Sequence, residues 1–232
     1  MKGKSAAEPA DERETTDRLL DTAERLFGEH GFDGVGMRAL AEEAKVNLGA
    51  TTYHYGSKEA LYIETFMRRF RPANAERLRL LREARASAGG RPLPVETIVD
   101  CMVRPPYRLG LAHPDFHALL ARNLFMPPPF MQEAMHREMG PNIEVFVEAL
   151  HESLPDLPED LMGLRVMFAM GSLTMFTVHV GRMKRARPPG LDESVIKELV
   201  RFISGGLESA PATAAGDRLP FPRTPKRPTS RP

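Results

Sequence analysis

The sequence predicts an all-α protein, with an N-terminal three-helix helix-turn-helix domain followed by a larger C-terminal helical domain. Three observations carry that reading. Apolar residues recur at helical spacing along most of the 232-residue chain. No apolar–polar alternation of useful strand length interrupts them. And VNLGATTYHYGSKEAL, residues 46–61, sets small residues, hydroxyls, two tyrosines and a histidine between two apolar helical runs, in a segment too short for a core helix.

The elements follow in order. In TTDRLLDTAERLFGEHGF, Leu19, Leu20, Ala23, Leu26 and Phe27 lie on one helix face; Thr15 or Thr16 can cap its start and Gly31 can end it. MRALAEEA is a short helix with Leu40, Ala41 and Ala44 on one side. KVN makes a tight turn, Asn47 caps LGATTYHY, Gly56 closes that helix, and Ser57 caps the next. The fourth helix starts at Lys58, and Pro72 is expected to kink or interrupt it. After the loop SAGGRPLP, Pro94 opens VETIVDCMV, which Pro105 and Pro106 should break. Later helices are expected near 114–126, 130–151, 159–184 and 192–207, with Gly140–Pro141 disturbing the second of these. The resulting domains are a disordered arm at 1–13, a helix-turn-helix at 14–62, a helical domain at 63–208 and a disordered tail at 209–232. The tail is rich in Pro, Ala, Thr and Arg and cannot bury enough apolar surface to offset its ordering entropy.

Composition excludes little but bounds much. Hydrophobic residues are 42% and charged residues 27%, as in ordinary globular proteins. The formal charge of +1 favours neither nucleic acid nor an acidic substrate in bulk. A single cysteine, Cys101, rules out an intrachain disulfide. The hydrophilic N-terminus lacks the apolar stretch of a signal peptide. The longest uncharged run, VMFAMGSLTMFTVHVG, falls short of the roughly 20 residues of a membrane span, so it reads as a buried helix. A cytoplasmic protein without membrane contact is the expectation.

A two-turn helix, a three-residue turn and a second short helix make a helix-turn-helix. Leu40, Ala41, Ala44, Val46 and Tyr53 or Tyr55 would pack inward on Leu26 and Phe27. Leu48, Gly49, Thr51, Thr52 and His54 would face out. Gly49 and Ala50 allow close backbone approach, the threonines can donate to phosphate or meet a thymine methyl, and Tyr53 and His54 can reach phosphate oxygens. Lys58 opens a helix whose free N–H groups suit a phosphate. Arg38, Asn47 and Lys58 complete the expected DNA contacts.

At these residues the chain resembles the TetR family of bacterial transcriptional regulators, whose N-terminal pattern is met by LFGEHGF, MRALAEEAKVN and TTYHYGSKEAL over about residues 15–62. It is similar to a branch reading V-N-x-A-A-x-N-Y-H-F-G-S-K here, some of which answers to lipophilic or acyl ligands. The resemblance implies a homodimeric regulator, usually a repressor, on a palindromic operator of double-stranded DNA, released by a small lipophilic effector. Three positions depart from the pattern. Gly36 replaces the capping Ser or Thr, Lys45 replaces a turn Gly at a cost of about 1 kcal/mol if left-handed, and Thr52 replaces a frequent aromatic. Residues 1–58 also carry eight Lys and Arg against eleven Asp and Glu, which favours modest non-specific DNA affinity. A helical carrier or partner-binding protein that has lost DNA affinity is therefore the alternative.

In the second half, ten methionines between Met102 and Met183 interleave with Phe116, Phe125, Phe130, Phe168 and Phe176, which suits an adaptable apolar pocket. Met102, Phe116, Leu120, Phe125, Met167, Met170 and Phe176 are its candidate lining. Arg104, His117, Arg122, Asn123 or His179 could orient a ligand's polar end. Met167, Phe168, Val195, Leu199 and Phe202 are the candidate dimer contacts, on two helices that would pair into a four-helix interface. The arginines from Arg68 to Arg85 read as a solvated, paired helix face or as a second DNA contact. His113 and His117 at i, i+4 could attract a metal, but no third ligand or H-E-x-x-H accompanies them, and Cys101 has no evident base. No P-loop, GxGxxG or GxSxG is present, so neither cofactor nor enzymatic activity is expected.

Overall fold

The computed structural model describes residues 10–113, 116–182 and 191–210. Among these the chain forms α1 (Ala10–His30), α2 (Met37–Ala44), α3 (Leu48–Tyr55), α4 (Lys58–Ala88), α5 (Val95–Ala112), α6 (Phe116–Phe125), α7 (Pro129–Ser153), α8 (Glu159–Arg182) and α9 (Leu191–Glu208), with no strand. Residues to 72 together with 109–137 form one compact unit, and 73–108 with 138 onward form a second. The expected boundary near 62 thus gives way to a first unit that also takes in α6 and the start of α7. Helices α4, α5 and α7 each contribute to both units.

In the first unit, α1 buries Leu19, Leu20, Ala23, Leu26 and Phe27 against α2 and α6. Four aromatic rings lock the arrangement. Phe27 meets Tyr62 edge-on at 4.8 Å, and Phe32 meets Tyr62 at 5.4 Å and Phe130 at 4.7 Å. Asn123 Nδ2 donates to the Tyr62 hydroxyl at 3.0 Å, and burial pushes that phenol's pKa up. Gly31 ends α1 at φ 75°, where its missing Cβ leaves room for Arg122 Nη1. Arg122 donates from Nε to Gly28 O and from Nη2 to Glu29 O, both at 2.9 Å, and so caps the carboxyl end of α1.

Several local expectations need correction. Helix α1 begins at Ala10, so Thr15 and Thr16 lie inside it and do not cap it, and residues 10–13 are helix; the rest of the arm and the tail from 211 lie outside the described residues. Helix α4 runs unbroken past Pro72, which is exposed, so water can serve the carbonyl face that lost its donor. Helix α7 likewise continues through Pro141, also exposed. Helix α5 continues through Pro105 and Pro106, both buried. Pro106 cannot donate to Met102 O, and Arg77 Nε takes that place at 2.8 Å. His113 and His117 do not share a helix: His113 follows α5 and His117 is in α6. No group of three metal-ligating side chains occurs among the described residues.

In the second unit, α8 packs on α9, and Ile196, Val200, Ile203 and Leu207 of α9 are buried. Helix α8 is buried along one side only, which corrects the reading of a wholly buried helix. By length and apolarity alone it could cross a membrane, although much of that stretch is exposed in the folded chain. Arg165 on its inner side donates to Leu207 O.

Candidate nucleic-acid interface

Helix α3 owes its position to its two neighbours. Asn47 Oδ1 accepts from Gly49 N at 2.7 Å, the N-cap expected of it. Lys45 turns the chain between α2 and α3 at φ 55°, ψ 43°, a left-handed conformation, and its N–H reaches back to α2 carbonyls. Gly36 caps α2 without a side-chain hydrogen bond, and at φ −92° nothing in its backbone requires glycine. Gly56 at φ 72° ends α3, and Ser57 Oγ accepts from Ala60 N at 3.1 Å to start α4.

The faces of α3 follow its 100° step. Leu48, Thr51 and Tyr55 turn inward, and Gly49, Thr52 and Tyr53 turn outward with His54. Against the expectation that both face outward, Leu48 is half-buried, and Thr51 is only 3% exposed and bonds Asn47 O through its hydroxyl, one turn from both Leu48 and Tyr55. Tyr53 is not an inner-face residue: it is 91% exposed. Thr52 Oγ1 is tied to Leu48 O at 3.0 Å. Ala50 lies in α3, but its side chain is outside the described residues. Arg38 and Asn47 are exposed. Lys58 is half-buried, its Nζ 4.3 Å from the centre of the Phe32 ring, so its charge is steadied at the first residue of α4. The exposed set therefore combines small, hydroxyl, aromatic and basic groups on one short helix and its flanks, which is what contact with a phosphate backbone and base edges requires.

Five of the seven arginines in the basic stretch of α4 are engaged in internal pairs. Arg68 and Arg69 share Asp21 and the buried Glu24 at 2.7–3.1 Å, Arg71 pairs with Glu64, Arg79 with Glu76 and Glu83, and Arg85 with Glu152. The buried Glu24 was not singled out from sequence, although it stands inside the apolar stripe of α1.

The expected effector residues do not converge. Met102 and Met170 line one small cavity of about 20 Å³ in the second unit, with Asn74, Arg77, Met139 and Phe146 among its other walls. Arg104 is engaged by Asp100 and Glu193 at 2.6–2.9 Å. Phe116, His117 and Leu120 are buried in the first unit, where Phe116 packs on Phe66 at 5.4 Å. Arg122 and Asn123 are also in the first unit, in the bonds already described. Phe125, Met167 and His179 are exposed, and Phe176 stacks on Tyr107 at 5.7 Å. Arg77, which sequence reading passed over, had a legible signal. It falls in the stripe Phe70, Ala73, Asn74, Arg77 and Leu81, all buried, at a position where the helical period calls for an apolar residue. Cys101 is buried, and burial pushes its thiol up to about 11, which leaves it unreactive at neutral pH.

Two family models match this chain: bacterial regulatory proteins of the tetR family over residues 19–65, and the tetracyclin repressor-like C-terminal domain over residues 100–206. The chain belongs to the TetR family. It is 50% identical over 44 residues to the HTH-type transcriptional regulatory protein RaaS of Mycobacterium tuberculosis, covering 19% of this chain and 20% of that protein. It is 30% identical over 106 residues to the HTH-type transcriptional repressor AcnR of Corynebacterium diphtheriae, 46% of this chain and 45% of the relative. The chain thus spans less than half the length of these curated relatives. Among solved structures, the fatty acid degradation regulator FadR from Bacillus halodurans aligns with a TM-score of 0.60 at 16% identity, over 82% of this chain and 98% of that one. A TetR-like transcriptional regulator from Rhodococcus sp. RHA1 aligns at 0.56 and 19% identity, over 83% and 93%. These likenesses show the fold. The first family match covers the helix-turn-helix and makes α3 its candidate recognition helix.

Proposed function

We propose that this TetR-family chain is a repressor that binds a palindromic operator as a homodimer in the cytoplasm and is released by a small lipophilic effector. The observation that carries the reading is the outward face of α3, where Gly49, Thr52, Tyr53 and His54 are exposed beside Arg38 and Lys58 while Leu48, Thr51 and Tyr55 anchor the helix. One recognition helix buries little surface, and a two-fold dimer reaches half-sites about 34–36 Å apart. The dimer face we assign is the outer side of α8 and α9. Met167, Phe168 and Met175 of α8 and Phe202 of α9 are exposed, Phe168 to 60% and Phe202 to 68%, with Val195 and Leu199 half-buried beside them. Exposed aromatic and methionine side chains clustered on two packed helices favour a partner surface.

Effector binding belongs to the second unit. FadR, a regulator of fatty acid degradation that shares this fold, favours a lipophilic class. Helices α4, α5 and α7 contribute to both units, so a change in the second has continuous backbone into the first. Release then requires only that the effector bind better to a pose in which the two α3 helices no longer match the half-sites.

Footprinting on the DNA upstream of the protein's own gene tests the reading. Salt-dependent protection of a two-fold sequence is expected, and its absence from every neighbouring fragment would overturn the assignment. The acidic balance of residues 1–58 and the uncapped Gly36 favour a second reading, a carrier that has lost DNA affinity. Replacing Tyr53 and Lys58 by Ala separates the two, because a carrier keeps all its function and a repressor loses its operator.

A further inference from the structure

The guanidinium of Arg77 is an unexplained charge in the second unit. The residue is 6% exposed, in the middle of the apolar stripe of α4. Its Nε donates to Met102 O at 2.8 Å and its Nη1 to Asn74 Oδ1 at 3.1 Å. Both acceptors are neutral, and Nη2 has no hydrogen bond among the described residues. Among the described residues no carboxylate pairs with it, in contrast to Arg68, Arg69, Arg79 and Arg104 on the same chain. Burial alone pulls its pKa down to about 10, so at neutral pH it remains a cation. Satisfying the carbonyl freed by Pro106 accounts for one N–H, and a neutral amide would serve there. It does not account for a buried positive charge, which is costly unless an anion compensates it.

Arg77 lines a cavity together with Asn142, Met139, Ile143, Phe146 and Val166. Its present volume, about 20 Å³, holds about one water molecule. Two features let it open. Met102, Met139 and Met170 are unbranched and repack easily. The helices that supply Met102 and Met139 each lack hydrogen bonds nearby, at Pro105 and Pro106 in α5 and at Pro141 in α7.

We propose that Arg77 is the head-group site of the effector cavity, taking the carboxylate of a molecule whose remainder is apolar. The planar fork of Arg suits two carboxylate oxygens, the amides of Asn74 and Asn142 flank the cavity, and the methionine side supplies contact for an apolar body. This deepens, and rests on, the reading of the chain as an effector-released repressor.

The test is calorimetric titration of the full chain with decanoate, decan-1-ol and acetate, alongside operator binding with each. Decanoate is expected to bind about 10- to 100-fold more tightly than decan-1-ol, as a charge-assisted hydrogen bond warrants, and more tightly than acetate. Arg77→Gln, which keeps a donor for Met102 O, should abolish the preference for decanoate while leaving decan-1-ol binding in place, and Arg77→Lys should retain part of it. Equal binding of decanoate and decan-1-ol by the unmodified chain would overturn the proposal without any variant. So would undiminished decanoate binding by Arg77→Gln, no binding of decanoate, or acetate binding as tightly as decanoate, which marks an anion hole without an apolar body. Operator release by decan-1-ol and not by decanoate would also overturn it and leave the repressor reading intact. Arg77-dependent decanoate binding supports the site even where operator affinity does not change, and that second result would count against effector release alone.

Discussion

The outer face of α3 and the outer face of α8 and α9 are both exposed, and they are exposed in opposite chemical styles. On α3 the exposed groups are Gly49, Thr52, Tyr53 and His54, with Asn47, Arg38 and Lys58 at its edges. On α8 and α9 they are Met167, Phe168, Met175 and Phe202. The first set offers hydrogen bonds, one aromatic ring and a close backbone; the second offers apolar area and almost nothing else. Water tolerates the first and penalises the second. In the proposed repressor the first face would meet a polyanion and the second a copy of itself.

Breaking the apolar face should have the largest effect. The double replacement of Phe168 and Phe202 by Glu is expected to weaken self-association about 100-fold or more, the scale of paired aromatic anchors at an interface. Sedimentation would show monomers, helical circular dichroism would be kept, and operator binding would be lost with the dimer. Next comes Tyr53→Ala, which removes a ring that is 91% exposed. Operator affinity should fall roughly tenfold, with the dimer and the melting temperature unchanged. A lower melting temperature would mean that Tyr53 serves the fold.

A smaller change sharpens the comparison by touching neither face. Lys45 sits at φ 55°, and its replacement by Gly should stabilise the chain by about 1 kcal/mol, read as a rise in the denaturation midpoint. The smallest concerns Cys101. The folded thiol is held up near 11 from an ordinary value of 9, so the unfolded chain loses its proton first as pH rises. Its contribution to stability is present below about 9 and lost towards 11. Thiol labelling at pH 8 should be slow in the native chain and fast in denaturant.

How much of this the sequence disclosed differs between the two faces. The helix-turn-helix was legible almost residue by residue, because local backbone chemistry builds it. Asn47 caps through its own side chain, Gly31 and Gly56 adopt left-handed φ, Ser57 starts α4, and Lys45 does turn left-handed. The orientation of α3 was harder, since its short polar run carries weak amphipathicity: Thr51 turned in and Tyr53 out. The prolines misled because a missing N–H breaks a helix only when no other donor stands nearby, and Arg77 stands beside Met102 O. The cavity of the second unit was least legible. Methionine-rich composition indicated an adaptable interior, yet Phe116, His117 and Leu120 belong to the first unit, and of the expected lining residues only Met102 and Met170 reach the cavity. Which apolar residues share a void depends on tertiary packing, and no local period encodes it.

Fluorescence anisotropy of the chain titrated onto DNA from upstream of its own gene, at several salt concentrations and against a scrambled duplex, tests the two faces together. The expected result is two chains per duplex, affinity that falls steeply with salt, and a clear preference over the scrambled sequence. One chain per duplex, or equal affinity for both sequences, would contradict it.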